Sequence, residues 1–350
     1  MYAGLDFIPK ELQKYQKHKY NALILLSFER PAELCHFFEI SRLNLEKTIN
    51  TPDYKHYAIK KKRGGKRNIF VPEERLMKIQ KRLNYFLQAW YLCIKPSEVH
   101  GFVINPRYLG KHCNIVANAS VHTGKKHVLN IDLKDFFPSI SAKRIKTLFS
   151  SPYFNYNEQI ALALTFLTTY RSKLPTGAPT SPVLSNFVCL ELDANLRTFC
   201  QKNALHYSRY ADDLTFSSDT IIAQDTIHNI IQLINKNGFE INKKKFRLKS
   251  SYRKQTVTGL TVNEKVNVDR KLLKKIRAML HDWSKNGIVA ATQRHFNITD
   301  VVINNETVRF KNRLKGYIDF VGQVRGKNDA VYMKFKRQFD AYWIGRYDFG

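Results

Sequence analysis

Between Pro72 and Trp90 the apolar side chains fall at helical spacing: Leu76, Ile79, Leu83, Phe86, Leu87 and Trp90 recur every three or four positions and predict an amphipathic helix. Pro72 is tolerated in its first turn, and Glu73 and Glu74 suit the positive end of the helix dipole. The period then changes. His127-Val128-Leu129-Asn130-Ile131-Asp132 reads as a strand that ends in a carboxylate and runs into Phe136-Phe137-Pro138. Tyr207 to Ser217 reads as a strand pair around a tight Ala211-Asp212 turn, with Leu214 and Phe216 alternating with Asp213 and Thr215. Further on, Asp269 is placed to cap a helix whose apolar face is Leu272, Ile276, Met279 and Trp283. Lys271, Lys274 and Lys275 point elsewhere on that helix, where they suit a phosphate backbone. Ahead of the first helix, Lys60-Lys61-Lys62-Arg63-Gly64-Gly65-Lys66-Arg67 is a Gly-Gly turn with six cations, followed by the strand-like Ile69-Phe70-Val71. It reads as a basic hairpin tip. No internal repeat or Pro/Gly/Ser-rich linker interrupts the chain, so its subdomains are expected to pack closely.

Composition changes this picture in one respect. A chain of 350 residues with 43% hydrophobic and 13% aromatic content can bury a sizeable core in two or three subdomains. Against 29 acidic residues, however, stand 58 Lys and Arg, a formal charge of +29 that repels itself unless a polyanion or counterions neutralise it. Nucleic acid is the expected partner. The five cysteines, Cys35, Cys93, Cys113, Cys189 and Cys200, include no C-x-x-C pair and read as reduced packing residues. No early apolar run approaches the roughly 20 residues needed to span a bilayer, and no signal-peptide pattern opens the chain. The expectation is a soluble intracellular protein with no membrane partner.

The acids carry the chemistry. Joining a hydroxyl to a nucleotide α-phosphate needs an activated nucleophile and neutralised charge on the leaving pyrophosphate, which two magnesium ions roughly 3.5–4 Å apart supply. Magnesium takes hard oxygen ligands, so a polymerase must bring carboxylates from separate strands to one point. Asp132, Asp212 and Asp213 fit that demand, and their mutual repulsion when empty raises their proton affinity. An Asp-Asp pair in a turn is by itself ordinary turn chemistry; the wider pattern gives it more weight.

Tyr210-Ala211-Asp212-Asp213 resembles the YxDD signature of reverse transcriptases, and Asp132-Leu133-Lys134-Asp135-Phe136-Phe137 resembles the preceding aspartate motif of the same palm. Between them, Leu174-Pro175-Thr176-Gly177-Ala178-Pro179-Thr180-Ser181-Pro182 is similar to the family's PQG-type loop, with Thr176 where glutamine is usual. A template-base contact carried by that glutamine does not transfer to a hydroxyl. Gly238-Phe239-Glu240-Ile241-Asn242-Lys243-Lys244-Lys245 resembles the following motif. The resemblance implies that Asp132, Asp212 and Asp213 are catalytic and hold two Mg2+ ions, with Mn2+ as a substitute. It places Lys61, Arg67, Asp135, Phe137, Gly177, Ala178 and Lys245 at the incoming nucleotide, Phe137 as the aromatic gate beneath its sugar.

Asn118-Ala119-Ser120-Val121-His122 fits the NAxxH motif and Val257-Thr258-Gly259 the VTG motif by which bacterial retron reverse transcriptases are recognised. The resemblance runs from about Glu33 onward, and residues 1–32 match nothing usable. It implies an α+β right-hand polymerase: a helical extension over 1–50, fingers and palm over 51–260 with the carboxylates on an antiparallel sheet, and a helical thumb over 261–350. It further implies an RNA-directed DNA polymerase of the bacterial cytoplasm that binds a cognate noncoding RNA and primes on an RNA 2′-hydroxyl. From deoxynucleotides it would make the branched RNA–DNA hybrid msDNA, in antiphage defence with a separate effector protein. Asn118, His122, Val257, Thr258 and Gly259, with Lys271, Lys274 and Lys275, become the candidate RNA contacts. Alternatives are a group II intron or abortive-infection reverse transcriptase, an RNA-dependent RNA polymerase, which Phe137 disfavours, and a non-catalytic RNA scaffold.

Overall fold

Three helices, α1 (Lys10–Leu26), α2 (Pro31–Phe38) and α3 (Arg42–Asn50), lead into a hairpin of β1 (Tyr54–Lys60) and β2 (Lys66–Pro72). The computed structural model describes residues 10–60, 64–104, 113–298 and 303–343, so Lys61 lies outside the described residues. The hairpin register pairs Lys60 with Lys66 and Tyr54 with Pro72. Pro72 therefore closes β2 and does not open the next helix. The Glu73 N–H donates to the Asp53 carbonyl at 2.9 Å, which keeps the backbone extended through Glu73, the N-cap of α4 (Glu74–Ile94). The predicted stripe of α4 is buried at Leu76, Ile79, Leu83 and Leu87, and Tyr91 continues it.

Beyond α5 (Ile115–Ser120), capped by the Asn114 side chain, comes β3 (His127–Asp132). A helical stretch follows: α6 (Phe136–Ser139), α7 (Ala142–Phe149), α8 (Glu158–Thr168), α9 (Ser181–Val188) and α10 (Leu190–Lys202). The chain then returns to the sheet with β4 (His206–Tyr210) and β5 (Asp213–Ser218), crosses α11 (Gln224–Lys236), and enters β6 (Arg247–Ser250). The sheet order is β4-β5-β3-β6, and β3 and β5 run antiparallel with Asp132 opposite Asp213. Both central strands are buried along nearly their whole length, as strands covered on two faces are. Leu129, Ile131, Leu214 and Phe216 join Leu83, Leu164, Leu184 and Leu196 from the helices in one core.

Two units divide near residue 248, the short stretch 122–125 going with the second. In the second unit β7 (Thr256–Val257) and β8 (Leu260–Thr261) form a hairpin, and α12 (Arg270–Phe296), α13 (Ile303–Arg325) and α14 (Ala330–Trp343) pack on one another around Trp283, Phe310 and Phe339. Asp269 caps α12 as expected, accepting from the Lys271 N–H at 2.8 Å. The buried stripe of α12 runs through Leu273, Ile276, Met279, Leu280 and Trp283, with Leu272 at its half-buried margin. Gly287, at φ 75° and ψ 167°, breaks the helix after that stripe. The chain is thus an α+β protein with its acidic motifs on an antiparallel sheet. None of the five cysteines is in a disulfide, and no helix among the described residues is long and apolar enough to cross a membrane.

Candidate active site

The β3–β5 register does most of the assembly. It sets Asp132 across from Asp213 at the strand ends, and the Leu133 N–H donates to the Asp212 carbonyl at 3.0 Å, tying the turn to the end of β3. Ala211 turns the chain with φ 58°, which a non-glycine residue holds only under constraint. Asp132 is buried, Asp212 half-buried, and Asp213 open to solvent on one side. Burial and then the neighbouring Asp132 raise the Asp212 carboxyl above the ordinary range. Burial, then Asp212 and Asp132, push Asp213 up to about 7 against the pull of Lys245.

Residues 240–245 close the other side. Ile241 bridges Leu133, the Asn242 N–H donates to the Asp132 carbonyl at 2.7 Å, and its side-chain amide donates to Asp132 Oδ2 at 3.2 Å. Lys245 Nζ donates to Asp132 Oδ1 at 2.6 Å. Among the described residues no three His, Cys, Asp or Glu side chains are gathered as a finished metal centre. The donors nevertheless suit a hard divalent cation in kind: carboxylate oxygens alone, on adjoining strand ends, whose charges repel. Asp132 would join the others on such an ion through an oxygen that now accepts from Lys245 or Asn242.

A cavity of about 630 Å³, within the usual size of a ligand site, opens beside these acids. Asp132, Asp135 and Asp212 line it with Phe137 and Lys245, and Arg67 comes in from β2. Phe136 is core, whereas Phe137 is half-buried and stacks on Phe102 at 5.8 Å between centroids. Gly177 and Ala178 shape this wall without lining it, since the loop presents Pro175 and Thr176 to the cavity. The Phe70 N–H donates to the Thr176 carbonyl at 2.7 Å, and a Cβ on Gly177, at φ 115°, would lie 2.6 Å from Ile69 Cγ2. The glycine thus lets loop and hairpin meet. Among the lining residues that sequence reasoning did not assign to the site are Lys66, Arg171, Lys173 and Asn242. Lys66 lies in the basic hairpin tip and Asn242 in the 238–245 motif, whereas the only signal for Arg171 and Lys173 is their position shortly before Leu174-Pro175.

The candidate RNA contacts fall elsewhere and are unequally accessible. Asn118, on α5, His122 and Val257 are completely buried, so direct contact would first require uncovering them. The Asn118 amide finds no hydrogen-bond partner among the described residues. Thr258 and Gly259 form the two-residue turn between β7 and β8, both at positive φ (47° and 83°), the conformation such hairpins require. That requirement accounts for glycine at 259. Lys271, Lys274 and Lys275 are exposed on α12, and Lys275 donates to the Tyr317 hydroxyl at 3.2 Å.

Sheet, acidic turn, glycine loop and basic hairpin together define a polymerase of the reverse transcriptase class. Residues 59–265 match the family model described as reverse transcriptase (RNA-dependent DNA polymerase). The chain is 33% identical over 263 residues to the retron Mx65 reverse transcriptase of Myxococcus xanthus, a match covering 70% of this chain and 59% of that one. It is 36% identical over 253 residues to the retron Ec86 reverse transcriptase of Escherichia coli, covering 69% and 74%. Among solved structures, telomerase from Candida albicans aligns with a TM-score of 0.46 at 10% identity over 95% of this chain and 68% of that one. The chain belongs to the reverse transcriptase family and, within it, to the retron reverse transcriptases.

Proposed function

We propose that this chain is an RNA-directed DNA polymerase that copies a cognate noncoding RNA of its own locus into msDNA, starting from an RNA 2′-hydroxyl. The observation that carries the reading is the lined cavity: Lys66, Arg67, Arg171 and Lys173 share a space of nucleotide size with Asp132 and Asp212, and Lys245 lines it while paired to Asp132. Cations there are arranged to grip a triphosphate, and carboxylates to hold the opposing charge. Asp132, Asp212 and Asp213 would hold magnesium, which when bound activates the attacking hydroxyl and neutralises the leaving pyrophosphate. Phe137 would exclude a ribose 2′-hydroxyl by contact and by stripping its water without offering a partner.

Residues 51–260 would serve as fingers and palm and 261–350 as a thumb, whose α12 lysines neutralise template phosphates, with 1–50 as a helical extension. Recognition of the particular RNA would rest on the accessible Thr258-Gly259 turn, with Asn118, His122 and Val257 each bracing its own segment. The family setting suggests the bacterial cytoplasm and an antiphage role with a separate effector protein.

Two measurements test this reading. Asp212→Asn should abolish primer extension in magnesium while leaving RNA binding largely intact, because a ligand is lost and the basic surface is not; near wild-type extension by a folded variant would sink the metal assignment. Sequencing the nucleic acid that co-purifies with the protein should reveal a covalent RNA–DNA branch, and plain RNA in its place would leave a generic reverse transcriptase.

A further inference from the structure

Behind the Asp212 turn lies a polar network that no substrate reaches. Arg209, on β4, and Asp193, on α10, form an ion pair in which both side chains are 0% exposed. Arg209 grips the carboxylate with a fork, Nε to Oδ1 at 2.8 Å and Nη2 to Oδ2 at 2.7 Å, and the Tyr207 hydroxyl adds a donor at 2.8 Å. Desolvation makes such a pair a poor source of net stability compared with apolar packing. Its geometry offers more. The remaining Nη1 donates to Asn186 Oδ1 at 2.9 Å and to the carbonyl of Ala211, in the carboxylate turn, at 3.1 Å. Asn186, on α9 and itself fully buried, passes the connection on: its amide donates to the Gly101 carbonyl at 3.0 Å and the Phe102 carbonyl at 3.4 Å.

The two ends of this network are constrained backbone. Ala211 and Phe102 both sit at φ 58°, a left-handed conformation that costs a non-glycine residue roughly 1–2 kcal/mol unless its surroundings enforce it. Gly101 lies so close to the turn that a Cβ there would stand 2.3 Å from the Ala211 nitrogen. Gln88 clips the same segment from α4, donating to the Phe102 carbonyl at 3.1 Å. The Phe102 ring then stacks on Phe137, and both rings line the cavity.

The geometry points to Asn186, oriented by Arg209, as a positioning residue that sets sugar specificity from behind the active site. By holding the Phe102 backbone it holds the ring that backs Phe137, and so fixes the distance between the aromatic wall and the turn bearing Asp212. A wall held from behind cannot yield to a ribose 2′-hydroxyl; a released one can, and displacements of about 1 Å are large on the scale of catalytic alignment. The inference rests on reading Phe137 as the gate beneath the incoming sugar.

Single-nucleotide incorporation by the full chain on an annealed primer–template, with deoxy- and ribonucleotides, tests it, alongside thermal unfolding of each variant. Asn186→Ala and Phe102→Leu should each lower the ratio of kcat/KM for deoxy- over ribonucleotide by about tenfold, chiefly through a lower ribonucleotide KM. The double variant should fall no further than the worse single one, as expected of residues acting through one contact. Asn186→Asp keeps the acceptor for Arg209 and loses the amide donor to Gly101 and Phe102, so it should lose discrimination as fully as alanine. An equal loss of kcat for both nucleotides, with the ratio unchanged, makes Asn186 merely structural and overturns the proposal. If the Asn186 variants do not fold, Phe102→Leu decides, because an unchanged ratio there means the ring does not back the gate. Phe137→Ala separates the two readings: intact discrimination in it removes the gate itself, whereas lost discrimination in it with none lost at Asn186 and Phe102 removes only the coupling.

Discussion

His100 carries a neutral imidazole with both ring nitrogens buried and without a hydrogen-bond partner among the described residues. Burial, and then the nearby Lys95, lower its pKa from 6.5 to about 4. The folded protein therefore binds fewer protons than the unfolded chain between those values, so stability is full above pH 6.5 and is lost as the pH falls toward 4. The loss should reach about 3 kcal/mol at pH 4, and His100→Leu should flatten that limb in urea unfolding followed from pH 7 to 4. Parallel curves for the two proteins would assign the acid sensitivity to another group. Its neighbour Gly101 makes a sharper demand. Backbone atoms, not a yielding side chain, face the missing Cβ at 2.3 Å, so Gly101→Ala must displace the Ala211 turn. We expect destabilisation of about 1–3 kcal/mol together with loss of primer extension even where the variant remains folded at the assay temperature.

Among the elements, those whose period is strict were legible in the sequence. The strand over His127–Asp132, the paired strands around Ala211-Asp212 and the α4 stripe all stand where alternation and helical spacing put them. Pro72 misled because proline suits a first helical turn and the end of an edge strand equally, and only the hydrogen bond from Glu73 to Asp53 separates the two. The cluster of acids could be inferred from its chemistry, and Arg67, Phe137 and Lys245 of the wall beside it from the motifs, but the rest of that wall could not. Arg171 and Asn242 reach the cavity through tertiary approach of segments far apart in the chain, which leaves no local periodicity. Asn118 shows the opposite failure: a polar residue in a motif invites a surface reading, and the structure buries it. On α12, the exposed Lys271 and Lys274 make a prediction that belongs to the helix. If this face tracks phosphates, Lys271→Gln and Lys274→Gln should each lower the slope of log affinity against log salt by about one, on cognate and unrelated RNA alike. Unchanged slopes would turn the face away from nucleic acid.

For the molecule as a whole, the charge of +29 sets two responses to salt in opposite directions. Without RNA, screening relieves self-repulsion, so the thermal midpoint should rise between about 50 and 300 mM salt, where the Debye length falls from above 10 Å to below 8 Å. Over the same range RNA affinity should fall by orders of magnitude. A midpoint that fell with salt would mean that attractive pairs, such as those of Lys146 with Glu158 and Lys134 with Glu240, outweigh the excess. The sheet register has a different consequence, in the time a ribosome takes. Asp132 and Asp213 face each other across β3 and β5 but are separated by about 80 residues of chain, which at roughly 5–20 residues per second take about 4–16 s to synthesise. For that interval the nascent β3, apolar at Val128, Leu129 and Ile131, waits with the edge that β5 will cover unpaired. The step at which this polymerase is most exposed to misassociation therefore precedes any encounter with its template.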